Sequence, residues 1–182
     1  MSQAALSIPI LPPAISRVVQ ILPLLPLSLS LTAYSKRVAK HHPSLFRRLG
    51  EYDHARFILD PTDLPFVICL EPNGGTPRVT VKRRAAIADG EARISGPLAA
   101  LLGLVHGAYD GDALFFSRDL VIEGDTSAAL ALRNAVDDAE LDLAEEIEGM
   151  TGPLAKPLHR LIGFIEGRTG VCLSRPEEVA LW

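Results

Sequence analysis

The stretch Asp112-Ala113-Leu114-Phe115-Phe116-Ser117-Arg118-Asp119-Leu120-Val121-Ile122-Glu123-Gly124-Asp125-Thr126 decides how this chain folds. Two short apolar runs, Ala113–Phe116 and Leu120–Ile122, flank the polar triplet Ser117-Arg118-Asp119. Apolar runs of this length around a short polar connection predict a β-hairpin. Its strands are apolar on both faces and therefore need cover on both sides. Gly124-Asp125 ends the second strand, and Asp125 is placed to cap the next helix by accepting its free N–H groups. That helix sets Ala128, Leu132, Val136 and Ala139 on one side.

Upstream, Arg56–Leu59 and Phe66–Leu70 read as strands. Glu71–Pro77 reads as a loop, because Asn and Gly tolerate positive φ. Arg78–Lys82 alternates with period two, as a half-buried strand does, and Ala92–Ile94 repeats the pattern briefly. Gly96-Pro97 opens a helix with Pro97 near its first position and Leu98, Leu101, Leu102 and Val105 on one stripe. The architecture expected is α/β in the α+β sense: residues 51–140 form a central domain between a helical extension at 1–50 and an acidic, then helical, extension at 141–182.

The first extension is proline-punctuated, and Ser44–Leu49 ends at Gly50, a C′ position. It carries Arg17, Lys36, Arg37, Lys40, Arg47 and Arg48 without one Asp or Glu, whereas the whole chain has a net charge of −4. A basic, apolar segment fits an anionic membrane surface, with Arg17, Lys36, Arg37 and Lys40 facing it. Few aromatics and no binding motif argue against nucleic acid. The uncharged run Val18–Tyr34 is broken by Pro23 and Pro26, which predicts two short helices instead of a membrane span. No basic residue precedes Ile15, so no secretory leader is expected.

Catalytic signatures are missing: no GxGxxG, P-loop, HExxH or GxSxG occurs. His41, His42, His54, His106 and His159 contain no i,i+4 pair suited to a metal, and none is expected. His106 with Asp110 and Asp112 sits in a turn-rich segment where polar residues are ordinary, so no catalytic role is assigned to them. The acidic run Asp137, Asp138, Glu140, Asp142, Glu145, Glu146 and Glu148 reads as a solvated helix face or as a docking patch for a basic partner. Cys69 lies in an apolar run and reads as an inert buried thiol; with Cys172 it makes no metal spacing, and a reducing cytoplasm is the default.

The hairpin stretch, followed by Leu132-Arg133-Asn134 and Asp137 and preceded by Ala92-Arg93-Ile94-Ser95-Gly96, resembles the sterol carrier protein 2 family. Within it, the likeness is to the bacterial accessory factors of ubiquinone biosynthesis. It covers residues 45–140; where the family commonly has Glu after Gly-Asp-Thr, this chain has Ser127. The resemblance implies a curved, mostly antiparallel sheet covered by helices and enclosing an apolar tunnel. It implies a non-catalytic carrier or scaffold that presents prenylated ubiquinone precursors to modifying enzymes in an oxygen-independent route.

No cofactor is implied beyond a bound lipid, either a prenylated quinone precursor or another isoprenoid or phospholipid. Partners would be other ubiquinone-biosynthesis proteins and an anionic membrane surface, for a cytoplasmic protein at the membrane periphery. The expected walls are Leu98, Leu101, Leu102 and Val105 from one helix, Leu114, Phe115, Phe116, Leu120 and Ile122 from the hairpin, and Leu132 and Val136 from the last helix. At about 0.8 kcal/mol per buried methylene, covering two or three isoprene units retains a ligand by several kcal/mol. The alternative is a peripheral membrane adaptor, or a general sterol-carrier-like protein, without a quinone role.

Overall fold

Alternation in the strands and caps at the helices produce a mixed α/β architecture in the computed structural model, which describes residues 10–21, 23–84, 89–106 and 119–139, with 156, 160 and 163. Three helices come first: α1 (Pro13–Ile21), α2 (Leu24–His41) and α3 (Pro43–Arg48). Strands β1 (Phe57–Pro61), β2 (Phe66–Glu71), β3 (Arg78–Arg83) and β4 (Ala92–Gly96) follow, then α4 (Leu98–His106), β5 (Val121–Gly124) and α5 (Thr126–Ala139). The described sheet has the order β3-β2-β1-β4-β5. Only β1 and β4 pair in parallel; the other three pairs are antiparallel, as expected of a mostly antiparallel sheet.

Local chemistry sets the boundaries. Asn73, Gly74 and Gly75 all have positive φ (47°, 60° and 94°), which is why the turn between β2 and β3 needs those residue types. Asp125 Oδ1 accepts from the backbone N–H groups of Ser127 (2.8 Å) and Ala128 (3.2 Å), the cap the sequence predicts for α5. Pro23 does separate α1 from α2, but Pro26 interrupts nothing. It lies in the first turn of α2, where its missing N–H has no partner to lose. The second strand of the expected hairpin forms as β5; the first, Ala113–Phe116, lies outside the described residues. Val121 on β5 is exposed.

Helix α2 runs along the open side of β3 and bonds to its backbone. Thr32 Oγ1 accepts from Val79 N–H (3.0 Å) and donates to Val79 C=O (2.8 Å), while Ser28 Oγ accepts from Val81 N–H (2.9 Å). Two hydroxyls spaced i,i+4 thus substitute for a neighbouring strand and blunt the edge.

One face of the sheet carries Phe57, Leu59, Ile68, Leu70, Val81, Ala92 and Ile94, and the helices pack there in two clusters. The first joins Val38, Leu45, Leu49, Phe57, Ile94, Leu101, Leu104, Leu120 and Leu132; the second joins Leu11, Val19, Leu64, Phe66, Val81 and Leu98. Helices α2 and α3 therefore share the core of the later elements. The opposite face has its own small buried group, Ile58, Val67 and Cys69.

Candidate functional site

Helix α4 lies between the two clusters and is fixed at its start. The Asp63 carboxylate accepts from Leu98 N–H (3.0 Å) with one oxygen and from Leu11 N–H (3.2 Å) with the other, tying the helix and the N-terminal segment to the β1–β2 turn. Its leucines then divide: Leu98 and Leu102 belong with the second cluster, Leu101 and Leu104 with the first.

Between the clusters runs a seam of incompletely buried apolar side chains. Across the sheet, register aligns Val81, Ile68, Leu59, Ile94 and Ile122 in one row. Val81 and Ile94 are buried, while Leu59 and Ile68, on the central strands, keep part of their surface open. Leu70, Leu102 and, on α2, Leu27 and Leu31 are likewise only partly buried. Central residues beneath a helical layer are normally the best packed of a sheet. Apolar surface left open there is of the kind that an aliphatic group covers favourably.

Of the expected wall residues, the structure brings Leu101, Leu120 and Leu132 together, with Ile122 and Val136 packed against them. Leu98 and Leu102 stand on the other side of the seam. Leu114, Phe115, Phe116 and the side chain of Val105 lie outside the described residues, as do Asp110, Asp112 and the His106 side chain. Leu27, Leu31, Leu59, Ile68 and Leu70 are candidates that the sequence reading passed over. For Leu59, Ile68 and Leu70 the signal is the second apolar face of strands β1 and β2, which alternation hides.

Polar groups elsewhere neutralise one another. Asp60, buried on the face away from the helices, is held by Arg84 (2.6 Å) and Arg93. A recess of about 560 Å3 is lined by His54, Arg56, Glu71, Asn73, Asp89, Gly90 and Glu91. In it Arg56 pairs with Glu71 (2.7 Å) and its N–H donates to Glu91 (2.5 Å). Burial pushes the Cys69 thiol up from its ordinary value, against the opposing charges of Lys82 and Arg56, so it stays protonated at neutral pH. Among the described residues no group of three His, Cys, Asp or Glu side chains is placed to hold a metal, and no helix is long and apolar enough to cross a membrane. Arg17, Lys36 and Lys40 are exposed, whereas Arg37 is partly buried and has a partner within the protein.

Residues 34–137 match the model of the SCP-2 sterol transfer family. The ubiquinone biosynthesis accessory factor UbiT of Escherichia coli (strain K12) is 37% identical over 79 residues, which are 43% of this chain and 42% of that protein. The chain thus spans about two fifths of the length of the curated relatives it matches. A solved UbiJ-SCP2 ubiquinone synthesis protein superposes with a TM-score of 0.52 over 67% of this chain and 98% of its own, at 18% identity, a likeness of fold.

Proposed function

We propose that this chain, which belongs to the SCP-2 sterol transfer family, holds a long apolar lipid in the seam over β1 and β2 and acts as a non-catalytic accessory carrier in ubiquinone synthesis. In this reading it presents a prenylated precursor to the enzymes that modify its ring, in a route that runs without oxygen. The observation that carries it is the open apolar surface of Leu59 and Ile68 at the sheet centre, where the two clusters meet. The identity to an accessory factor of ubiquinone biosynthesis supports the choice of guest. A carrier needs apolar walls and an orienting partner and no reacting group, which fits ionisable residues that are paired with each other or solvated.

The test is extraction of lipid from the purified full chain, followed by mass spectrometry, beside a Leu102→Glu variant. Leu102 is partly buried on the seam, so the fold tolerates the change, while an ionised carboxylate in an apolar site is costly. Prenylated lipid is expected with the wild type and lost from the variant. In cells grown without oxygen, the variant is expected to fail to restore ubiquinone at matched abundance. Equal lipid in both proteins would sink the assignment of the site; lipid of other classes only would sink the quinone role.

A further inference from the structure

We infer that residues 10–21 form a strap that detaches from the body of the protein on its own and, in doing so, gates the apolar seam. The strap ends in α1 and lies over the second cluster, into which it sends Leu11 (4% exposed) and Val19 (6%). Among its described side chains these are the buried ones, while Ile10 and Ile21 stand in solvent at 69% and 87% exposure. Polar pins complete the attachment. Leu11 N–H donates to the Asp63 carboxylate (3.2 Å), and Arg83 on β3 donates to Val19 C=O (3.0 Å). That carbonyl lies in the last turn of α1, which has no basic residue of its own and no further backbone partner to offer; a cation is favoured there.

The attachment is light beside that of α2, which packs Leu27, Leu31 and Val38 into the clusters and bonds to β3 through Ser28 and Thr32. Pro23, extended at φ −66° and ψ 128°, breaks the chain between α1 and α2, so the strap can move without unwinding α2. Release also spares α4, because the other Asp63 oxygen keeps Leu98 N–H when Leu11 leaves. Leu64, Phe66, Val81 and Leu98 then lose part of their cover, and Ile68 and Leu102 on the seam pack against that same group. A helix as short as α1 is marginal alone, so a detached strap melts and its amides exchange with solvent. The inference rests on the carrier reading for its guest, and adds the path by which a guest enters and leaves.

Hydrogen exchange on the delipidated full chain tests the opening. Amides of Arg17–Ile21 are expected to exchange about a hundredfold or more faster than those of β1 and β2, and to respond little to sub-denaturing urea, as a small local opening does. Stopped-flow mixing with an anthroyloxy-labelled stearate then reads the gate. Leu11→Ala and Val19→Ala are each expected to raise both its association and its release rate about tenfold, with Kd changed less than about threefold, because they populate the open form. A side chain that only lined the site would raise release alone. Leu130→Ser, at an exposed leucine on α5, is expected to change neither rate. Amides of α1 that exchange together with the sheet, at one rate and one urea dependence, overturn the inference, and so does release that quickens without association. Failure of the probe to bind any of these proteins counts against the carrier reading, and exchange then decides the strap by itself.

Discussion

Leu59 and Ile68 face each other across the β1–β2 pair, yet they pack into different apolar clusters and neither is fully buried. A sheet whose only task is to be covered would close over that pair, because open apolar surface forgoes about 25 cal/mol per Å2. The gap is small in stability, and it is the feature on which the proposed carrier role rests.

Filling the gap separates a seam from a loosely packed core. Ile68→Phe adds volume at the sheet centre. In a closed core such overpacking costs about 1–3 kcal/mol. If the space is real, the expected outcome is an unchanged or slightly raised Tm together with reduced lipid content on extraction. A fall in Tm of several degrees, with lipid content preserved, would show that the position is packed.

The hydroxyl clasp on β3 makes a second prediction. Ser28→Ala/Thr32→Val leaves Val79 N–H, Val79 C=O and Val81 N–H without the helix partners they have now. An unsatisfied partly buried backbone group costs about 1–3 kcal/mol, so Tm is expected to fall by several degrees. The uncovered edge is also expected to promote association, measurable by light scattering on warming. An unaltered melting curve would mean that water replaces the hydroxyls at no cost.

Much of this architecture is legible in the residues, for identifiable reasons. Arg78–Arg83 alternates cleanly because one of its faces is solvated, and Asp125 announces α5 because a cap is a local device. The seam is not legible, because β1 and β2 are apolar on both faces. Ile58, Val67 and Cys69 are as hydrophobic as Phe57, Leu59 and Ile68, so periodicity does not tell the helix-covered face from the other. Ser28 and Thr32 look like incidental polar residues in an apolar helix until β3 lies beside them. The acid-free charge pattern of the first 50 residues can be read directly; that Leu25 and Leu29 share a face with Lys36 and Lys40 follows from helical spacing, but their exposure needs the packed structure.

A third prediction concerns Asp60. Its side chain is 3% exposed and takes Arg84 on one oxygen and Arg93 on the other, the Arg93 Nε lying 3.1 Å away. Asp60→Asn removes the negative charge and leaves two guanidinium groups close together. Both arginines reach some solvent, at 38% and 25% exposure, so the loss is expected at about 2 kcal/mol and not at the larger values of a fully buried pair. Urea titration reads it, and high salt is expected to change the difference little, because the contact is shielded from ions. A loss that vanishes in salt would place the pair in solvent.

The last prediction follows the sign of the Cys69 shift. Burial raises this thiol above its ordinary value of 9.0, and nearby Lys82 and Arg56 pull it back only in part. A group raised on folding contributes its full stability below the unfolded value, and loses it as pH climbs from there through the folded one. The stability difference between wild type and Cys69→Ala is therefore expected to be constant around neutrality and to fall only in alkaline solution, from the ordinary thiol value upward. Other titrating groups cancel in that difference. Iodoacetamide at about pH 8 gives an independent readout: peptide mapping is expected to find Cys69 modified roughly tenfold or more slowly in the folded chain than in urea. Rapid labelling of the folded chain would mean that the face bearing Ile58, Val67 and Cys69 opens readily. The buried thiol would then report on motion of the sheet instead of on its packing.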